Sequence, residues 1–141
     1  MNIEKVMTRD VEYCRPDTPI HQVAAKMKEL DVGVMPICEG DQLTGLATDR
    51  DIVLKAVAEN TSMDSPISDV MTTDPVRGTV HMSAEEAADL MADVQIRRLP
   101  IVENGKMIGI VSLGDLAVTD NLEDDAVNAL EDISTPSEPE K

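Results

Sequence analysis

Residues 34–53 read VMPICEGDQLTGLATDRDIV, and residues 98–117 read RLPIVENGKMIGIVSLGDLA. Each stretch holds two apolar, strand-like runs joined by a turn: Val34 to Cys38 and Leu43 to Thr48 in the first, Leu99 to Val102 and Met107 to Ser112 in the second. Glu39-Gly40-Asp41-Gln42 and Glu103-Asn104-Gly105-Lys106 supply the turns, and Asn-Gly is a hairpin signal because both residues accept positive φ. Each second run leads into a helix, expected over 49–58 and 113–119.

The two stretches are one motif used twice. At an offset of 64 residues, 6–53 align with 70–117 without a gap and with eleven identities. Val6-Met7-Thr8 falls on Val70-Met71-Thr72, Pro36-Ile37 on Pro100-Ile101, Gly45 on Gly109 and Asp51 on Asp115. A period this long defines two repeated modules, not a solenoid of short units. Before each hairpin, apolar residues recur at helical spacing: Ile20, Val23, Ala24, Met27 and Leu30, matched by Ala84, Ala87, Ala88, Met91 and Val94. Thr18-Pro19 reads as an N-cap with proline at the first helical position, and Ser83 with Glu86 as a capping box. A short apolar segment precedes each helix, Val11 to Cys14 or Val76 to Val80. Each repeat is therefore predicted as βαββα, with a parallel pair joined by a helical crossover and an antiparallel hairpin. The fold class is α/β in the broad sense, mixed α+β. Each repeat alone would expose a sheet face, so the two are expected to pack as a pair. The expected division is 1–63 for the first repeat with its linker (Glu59 to Asp69 carry the polar, linker-like composition), 64–119 for the second repeat, and 120–141 for an acidic tail. In that tail Leu122, Ala126, Leu130 and Ile133 recur at helical spacing, predicting a short amphipathic helix before Pro136 and Pro139.

Composition narrows the function. At 141 residues the chain has room for one compact domain or two small ones. It contains no Trp and no Phe, and Tyr13 is the only aromatic residue, so the core must be aliphatic and padded by its nine Met. A net charge of -16 argues against nucleic acid as partner, because a phosphate backbone needs basic and stacking side chains, and it disfavours anionic membranes equally. No apolar stretch is long enough to span a membrane or to serve as a secretion signal, and the expected compartment is the cytoplasm. Two Cys without a CxxC or a zinc-knuckle pattern indicate thiols. Cys14 and Cys38 fall in the first two strands of one repeat, which leaves a disulfide or a redox switch as an alternative if their Cα atoms lie within about 7 Å. His21 and His81 share no repeat position and read as surface residues. The sequence has no GxSxG, P-loop, GxGxxG or HExxH, and so supplies no catalytic constellation.

The duplicated VMT start, the GVMPI and RRLPI strand openings, and the GLATDRDI and GIVSLGDL junctions resemble tandem CBS domains, the cystathionine-β-synthase type pair called a Bateman module. The resemblance covers about 6–119, and no further domain accompanies it, as in stand-alone bacterial CBS-pair proteins. It implies two βαββα units related by a pseudo-twofold, clefts between the repeats that in many members hold adenine nucleotides or related adenosyl ligands, and pairing of two modules into a homodimer.

That resemblance gives chemical meaning to Thr48-Asp49-Arg50-Asp51 and Ser112-Leu113-Gly114-Asp115. A Ser or Thr followed three residues later by an acid is in itself a helix-capping pattern. In the CBS family the Asp holds the ribose hydroxyls with the Ser or Thr assisting, and a carboxylate is suited to accept from both hydroxyls of a cis-diol. Asp51 and Asp115, with Thr48 and Ser112, are the leading binding candidates. Arg98, with Arg97, stands where family members place a phosphate-binding base; the alternative is a pair of solvated surface arginines. The first repeat offers Gly33-Val34-Met35-Pro36 there, without a basic residue, and is expected to bind phosphate less well. Arg50 and Arg77 are weaker candidates. Pro36 and Pro100 fit strand starts on steric grounds alone. The resemblance places this backbone against the adenine, together with Val34, Met35, Ile37, Leu99 and Ile101, which otherwise read as core. The reading is a non-enzymatic regulatory module that takes AMP, ADP, ATP or a related adenosyl ligand as a regulatory ligand, requires no cofactor or metal, forms a homodimer and signals by shape to an unknown target protein. Its alternative is a protein-interaction or structural module with vestigial clefts, and a third reading is a redox sensor using Cys14 and Cys38.

Overall fold

The computed structural model describes residues 1–117 and Ile133; Leu122, Ala126 and Leu130 of the expected tail helix lie outside the described residues. The chain forms two compact units. One, the first-repeat unit, comprises Glu12–Pro75 with Gly105–Met107; the other, the second-repeat unit, comprises Met1–Val11, Val76–Asn104 and the chain from Ile108. Each unit thus takes its VMT segment from the opposite period of the sequence: Met7 and Thr8 serve the second-repeat unit, Met71 and Thr72 the first.

In the first-repeat unit, α1 (Ile20–Leu30) leads to β1 (Val34–Glu39) and β2 (Gln42–Thr48), which pair antiparallel from Val34↔Thr48 to Glu39↔Gln42. The expected strand over 11–14 reduces to one parallel bridge, Cys14↔Ile37. A short β3 (Thr72–Thr73) adds antiparallel to β2 through Gly45↔Thr73 and Leu46↔Thr72. From Thr48 the chain enters α2 (Asp49–Asp51), which widens into a π-helix over Ile52–Val57. The core is aliphatic: Ile20, Val23 and Met27 of α1 pack with Met35, Ile37, Ala47, Ile52 and Ile67. Residues 59–69 are bonded into this unit, contrary to their linker-like composition. Ser65 and Met63 accept from the N–H groups of Ile20 and His21, the Ile67 N–H donates to the Thr18 carbonyl, and Ile67 is fully buried.

The second-repeat unit is built on the same plan. Here β4 (Gly78–Thr79) runs parallel to β5 (Arg98–Glu103) through Gly78↔Ile101 and Thr79↔Val102, with α3 (Ala84–Val94) as the crossover. Next to β5 lies β6 (Lys106–Ser112), followed by α4 (Leu113–Ala117). Asn104 and Gly105 both have positive φ, as a tight primed turn demands. The N-terminal segment closes this unit: Thr8 exchanges two backbone hydrogen bonds with Ile110, and Ile3 and Met7 enter the core beside Ala84, Met91, Leu99 and Leu116. Ile133 packs against the same core.

The caps follow sequence logic with one exception. Ser83 and Glu86 form the expected reciprocal capping box at the start of α3. At α1 the N-cap is Pro19 itself, and no side chain caps it. Thr18 instead bridges a preceding turn, its Oγ1 accepting from the Arg15 N–H at 3.1 Å. Leu30 and Val94, at equivalent ends of the two apolar stripes, are exposed. Pro36 and Pro100 sit two residues inside β1 and β5 rather than at their first positions, and both are buried.

Candidate functional site

The same junction occurs in both units. Thr48 is the last residue of β2, and its Oγ1 accepts from the Asp51 N–H at 2.9 Å while its own N–H donates to Asp51 Oδ2 at 3.1 Å. Ser112 and Asp115 repeat the pair at 3.1 Å and 3.4 Å. The strand leaves off where the helix begins, so the capping box fixes each carboxylate at the edge of its sheet. A second bond ties the entry of the hairpin's first strand to this point. The Gly33 carbonyl accepts from the Asp49 N–H, and the Arg97 carbonyl from the Leu113 N–H, both at 3.0 Å. Within each unit the T/S-x-x-D junction and the V-M-P or R-L-P strand opening are therefore physically joined, although 15 or so residues separate them in sequence.

The two junctions differ in charge. In the second-repeat unit Arg97 and Arg98 are exposed, and among the described residues neither guanidinium has an ion-pair partner. In the first-repeat unit Gly33 takes the place of Arg97, and Asp51 is buried at 7% exposure. Asp51 has two further partners. Lys55 Nζ lies 3.1 Å from its Oδ1, and the Thr72 hydroxyl donates to Oδ2 at 3.3 Å. Neither Lys55 nor Thr72 was among the sequence candidates. The signal for Thr72 was present in the repeated VMT; that for Lys55 was its i,i+4 spacing from Asp51.

The remaining candidates fall into three groups. Met35, Ile37, Leu99 and Ile101 are essentially fully buried in the cores of their own units, while Val34 is half-buried at the start of β1. Pro36 uses its carbonyl to accept from the Cys14 N–H at 3.0 Å. Arg50 is exposed, its N–H donating to Asp49 Oδ1 at 2.8 Å, and Arg77 is half-buried in the second-repeat unit. A depression of about 280 Å³ on the first-repeat unit borders the Thr48–Asp51 junction at Asp49 and Ile52, and is lined further by Ala24, Met27, Val32 and Val53 with Lys28 and Asp31.

Both cysteines are free and buried. Cys14 bridges Ile37, so those two side chains share a face and Cys38 alternates to the other, which gives a disulfide no path. Burial pushes both thiols up, Cys38 to about 11 with Asp41 adding to the effect. A raised thiol is a poor nucleophile and a poor redox sensor. Among the described residues no cluster of His, Cys, Asp and Glu is arranged to hold a metal, and the His21 imidazole lies 3.5 Å from the exposed Asp64 carboxylate. None of the described helices is long and apolar enough to cross a membrane.

Comparison with known proteins converges with this architecture. The family model for the CBS domain matches twice, at residues 3–58 and 67–119, and the chain belongs to that family as a tandem pair. It is 43% identical over 133 residues to the CBS domain-containing protein YhcV of Bacillus subtilis, covering 94% of this chain and 95% of that one. Among solved structures it resembles Hypoxic Response Protein I with two coordinated zinc ions (TM-score 0.78, 27% identity, 84% of this chain and 98% of the other). It also resembles CBSX2 in complex with AMP (TM-score 0.74, 26% identity, 86% and 96%).

Proposed function

We propose that this CBS pair is a non-enzymatic regulatory module that binds an adenosyl ligand, AMP, ADP, ATP or a close relative, at its strand-to-helix junctions and transmits binding as a change of shape to a target protein. The observation that carries this is the repeated junction itself: an oriented carboxylate, Asp51 or Asp115, held by a Thr or Ser capping box and latched to the entry of the hairpin's first strand. A ribose cis-diol is a good donor pair for such a carboxylate. Arg97 and Arg98, without an ion-pair partner among the described residues and joined to the Ser112–Asp115 junction through the Arg97 carbonyl, suit the phosphates and favour the second-repeat unit as the better nucleotide half-site. AMP bound to CBSX2 supports the ligand class. Nothing in the junction chemistry calls for a cofactor or a metal.

The exposed apolar stretch Val53, Leu54 and Val57 on the outer side of the second helix, with Leu30 on α1, supports a homodimer formed through helices. Acidity and mostly buried thiols suit a cytoplasmic setting. A thermal-unfolding panel with AMP, ADP, ATP, NAD and S-adenosylmethionine tests the reading on the native chain, Asp51→Ala and Asp115→Ala. A ligand at about 100 times its dissociation constant adds about 2.7 kcal/mol to stability. A midpoint raised by one adenosyl compound and lost with one aspartate supports the sensor. An unmoved midpoint throughout favours the interaction module, for which the same exposed helix face is the candidate docking surface.

A further inference from the structure

The first-repeat junction carries a feature that the second lacks in sequence. Lys55 lies four residues beyond Asp51 on the same helical stretch, and its Nζ stands 3.1 Å from Asp51 Oδ1. The other oxygen, Oδ2, accepts from the Thr48 N–H at 3.1 Å and from the Thr72 hydroxyl at 3.3 Å. Both oxygens of the diol-binding carboxylate are therefore engaged within the chain. The repeat position of Lys55 is occupied by Thr119, which has no charge to offer Asp115.

We propose that Lys55 is a built-in competitor for the ligand at Asp51, so that the first-repeat half-site opens to a diol only as the ammonium swings away. This deepens the reading of Asp51 as a ribose-binding residue and rests on it. The physical basis is the asymmetry of the two partners. Asp51 is buried and fixed by the capping box, whereas the Lys55 side chain is half exposed and free to rotate into solvent on its flexible stem. The Thr48 and Thr72 bonds to Oδ2 hold the carboxylate in place throughout, leaving Oδ1 as the contested acceptor. A half-exposed ion pair is modest in strength and is screened by salt, so the competition weakens binding by a factor of about 1.5 to 5 rather than abolishing it. It also gives this half-site an unusual sign. An uncharged nucleoside has no phosphate attraction to lose, and added salt loosens only the Lys55–Asp51 pair, so its affinity rises with ionic strength.

The experiment uses adenosine as probe, titrated calorimetrically into the full chain carrying Asp115→Asn, which removes the other half-site's carboxylate, with Lys55 intact, as Lys55→Met and as Lys55→Gln. The expected result is about 1.5- to fivefold tighter binding in both Lys55 variants, and affinity that rises from 20 to 500 mM NaCl (a Debye length falling from about 20 Å to about 4 Å) only where Lys55 is present. The salt series on the Lys55 chain needs no substitution at the helix and stands even if a variant folds poorly. Binding by the Lys55 chain that is equal or tighter than in both variants, or that falls with salt, overturns the competitor role while leaving Asp51 a ligand residue. Absence of adenosine binding in all three chains removes the diol-binding reading of Asp51 and this inference together.

Discussion

Gly45 and Gly109 occupy the same repeat position in β2 and β6, and both are pressed against a VMT segment. A Cβ at Gly45 would lie 2.7 Å from Met71 Sδ and 2.8 Å from the Thr72 carbonyl oxygen; at Gly109 it would meet Met7 Sδ and the Thr8 carbonyl oxygen, both at 2.8 Å. The sulfur is the far end of a flexible side chain and yields cheaply, but the carbonyl belongs to the backbone paired with the strand. Relieving that contact requires the VMT segment to move by several tenths of an ångström. Overpacking of this kind costs about 1–3 kcal/mol. Gly→Ala at a position without positive φ returns about 0.4–1 kcal/mol through the unfolded chain. The expected net loss for Gly45→Ala is about 1–2 kcal/mol, and with a sensitivity of about 4 °C per kcal/mol for a chain of this size the midpoint falls by roughly 4–8 °C. Thermal unfolding by circular dichroism measures it directly. Adding Met71→Ala should recover only part of the loss, because the carbonyl contact remains. A midpoint equal to or above that of the native chain for Gly45→Ala, or full recovery in the double variant, would refute the close-approach argument. The consequence reaches the site, since displacing Thr72 also lengthens its 3.3 Å bond to Asp51.

Other substitutions test other parts of the account. Thr48→Ala removes the acceptor for the Asp51 N–H and should cost about 1 kcal/mol by chemical denaturation, with Ser112→Ala similar in the other unit. Leu99→Ala, in the core of the second-repeat unit at full burial, should cost about 2–5 kcal/mol; a loss below 1 kcal/mol would mean that Leu99 lines an open cleft instead. Cys38 has its thiol raised from 9.0 to about 11, so the folded state holds its proton where the unfolded chain has lost it, and the stability this represents is present below pH 9 and lost as pH rises towards 11. Cys38→Ala should accordingly show a shallower alkaline decline over that window, and a decline identical to that of the native chain would contradict it. If the proposed homodimer forms through the exposed helix face, Val57→Glu should raise its dissociation constant at least tenfold in analytical ultracentrifugation without lowering the unfolding midpoint of the isolated chain, and an unchanged sedimentation profile would contradict that interface.

What sequence made legible here is whatever repetition and local chemistry encode. The 64-residue offset revealed the pair, the apolar runs and turn residues in 34–48 and 98–112 set the hairpins within a residue of their observed ends, and T/S-x-x-D announced both capping boxes. The exchange of VMT segments between the units was not legible, because repeat boundaries record ancestry in sequence while packing is decided by which surface a segment buries. Ile67 illustrates the same limit. Its neighbours Ser62, Asp64, Ser65 and Pro66 have linker chemistry, yet the Ser65 and Met63 carbonyls accept from the first N–H groups of α1 and Ile67 fills the core. At the candidate site, sequence named the carboxylates with their capping Thr48 and Ser112 and missed Thr72 and Lys55 at Asp51. Thr72 comes to Asp51 from 21 residues away through β3, a short strand with no pattern of its own, whereas Lys55 was within reach of helical spacing alone. The redox alternative turned on a single register: Cys14 opposite Ile37 instead of Cys38.

The central claim is that Asp51 and Asp115 are ligand carboxylates and not only helix caps. Calorimetric titration of AMP into the native chain, Asp51→Ala and Asp115→Ala tests it most directly. The account predicts saturable binding to the native chain and at least a tenfold loss of affinity with Asp115→Ala, the half-site beside Arg97 and Arg98, with a smaller change for Asp51→Ala. Binding of equal strength to all three chains would confine both aspartates to capping and contradict the account.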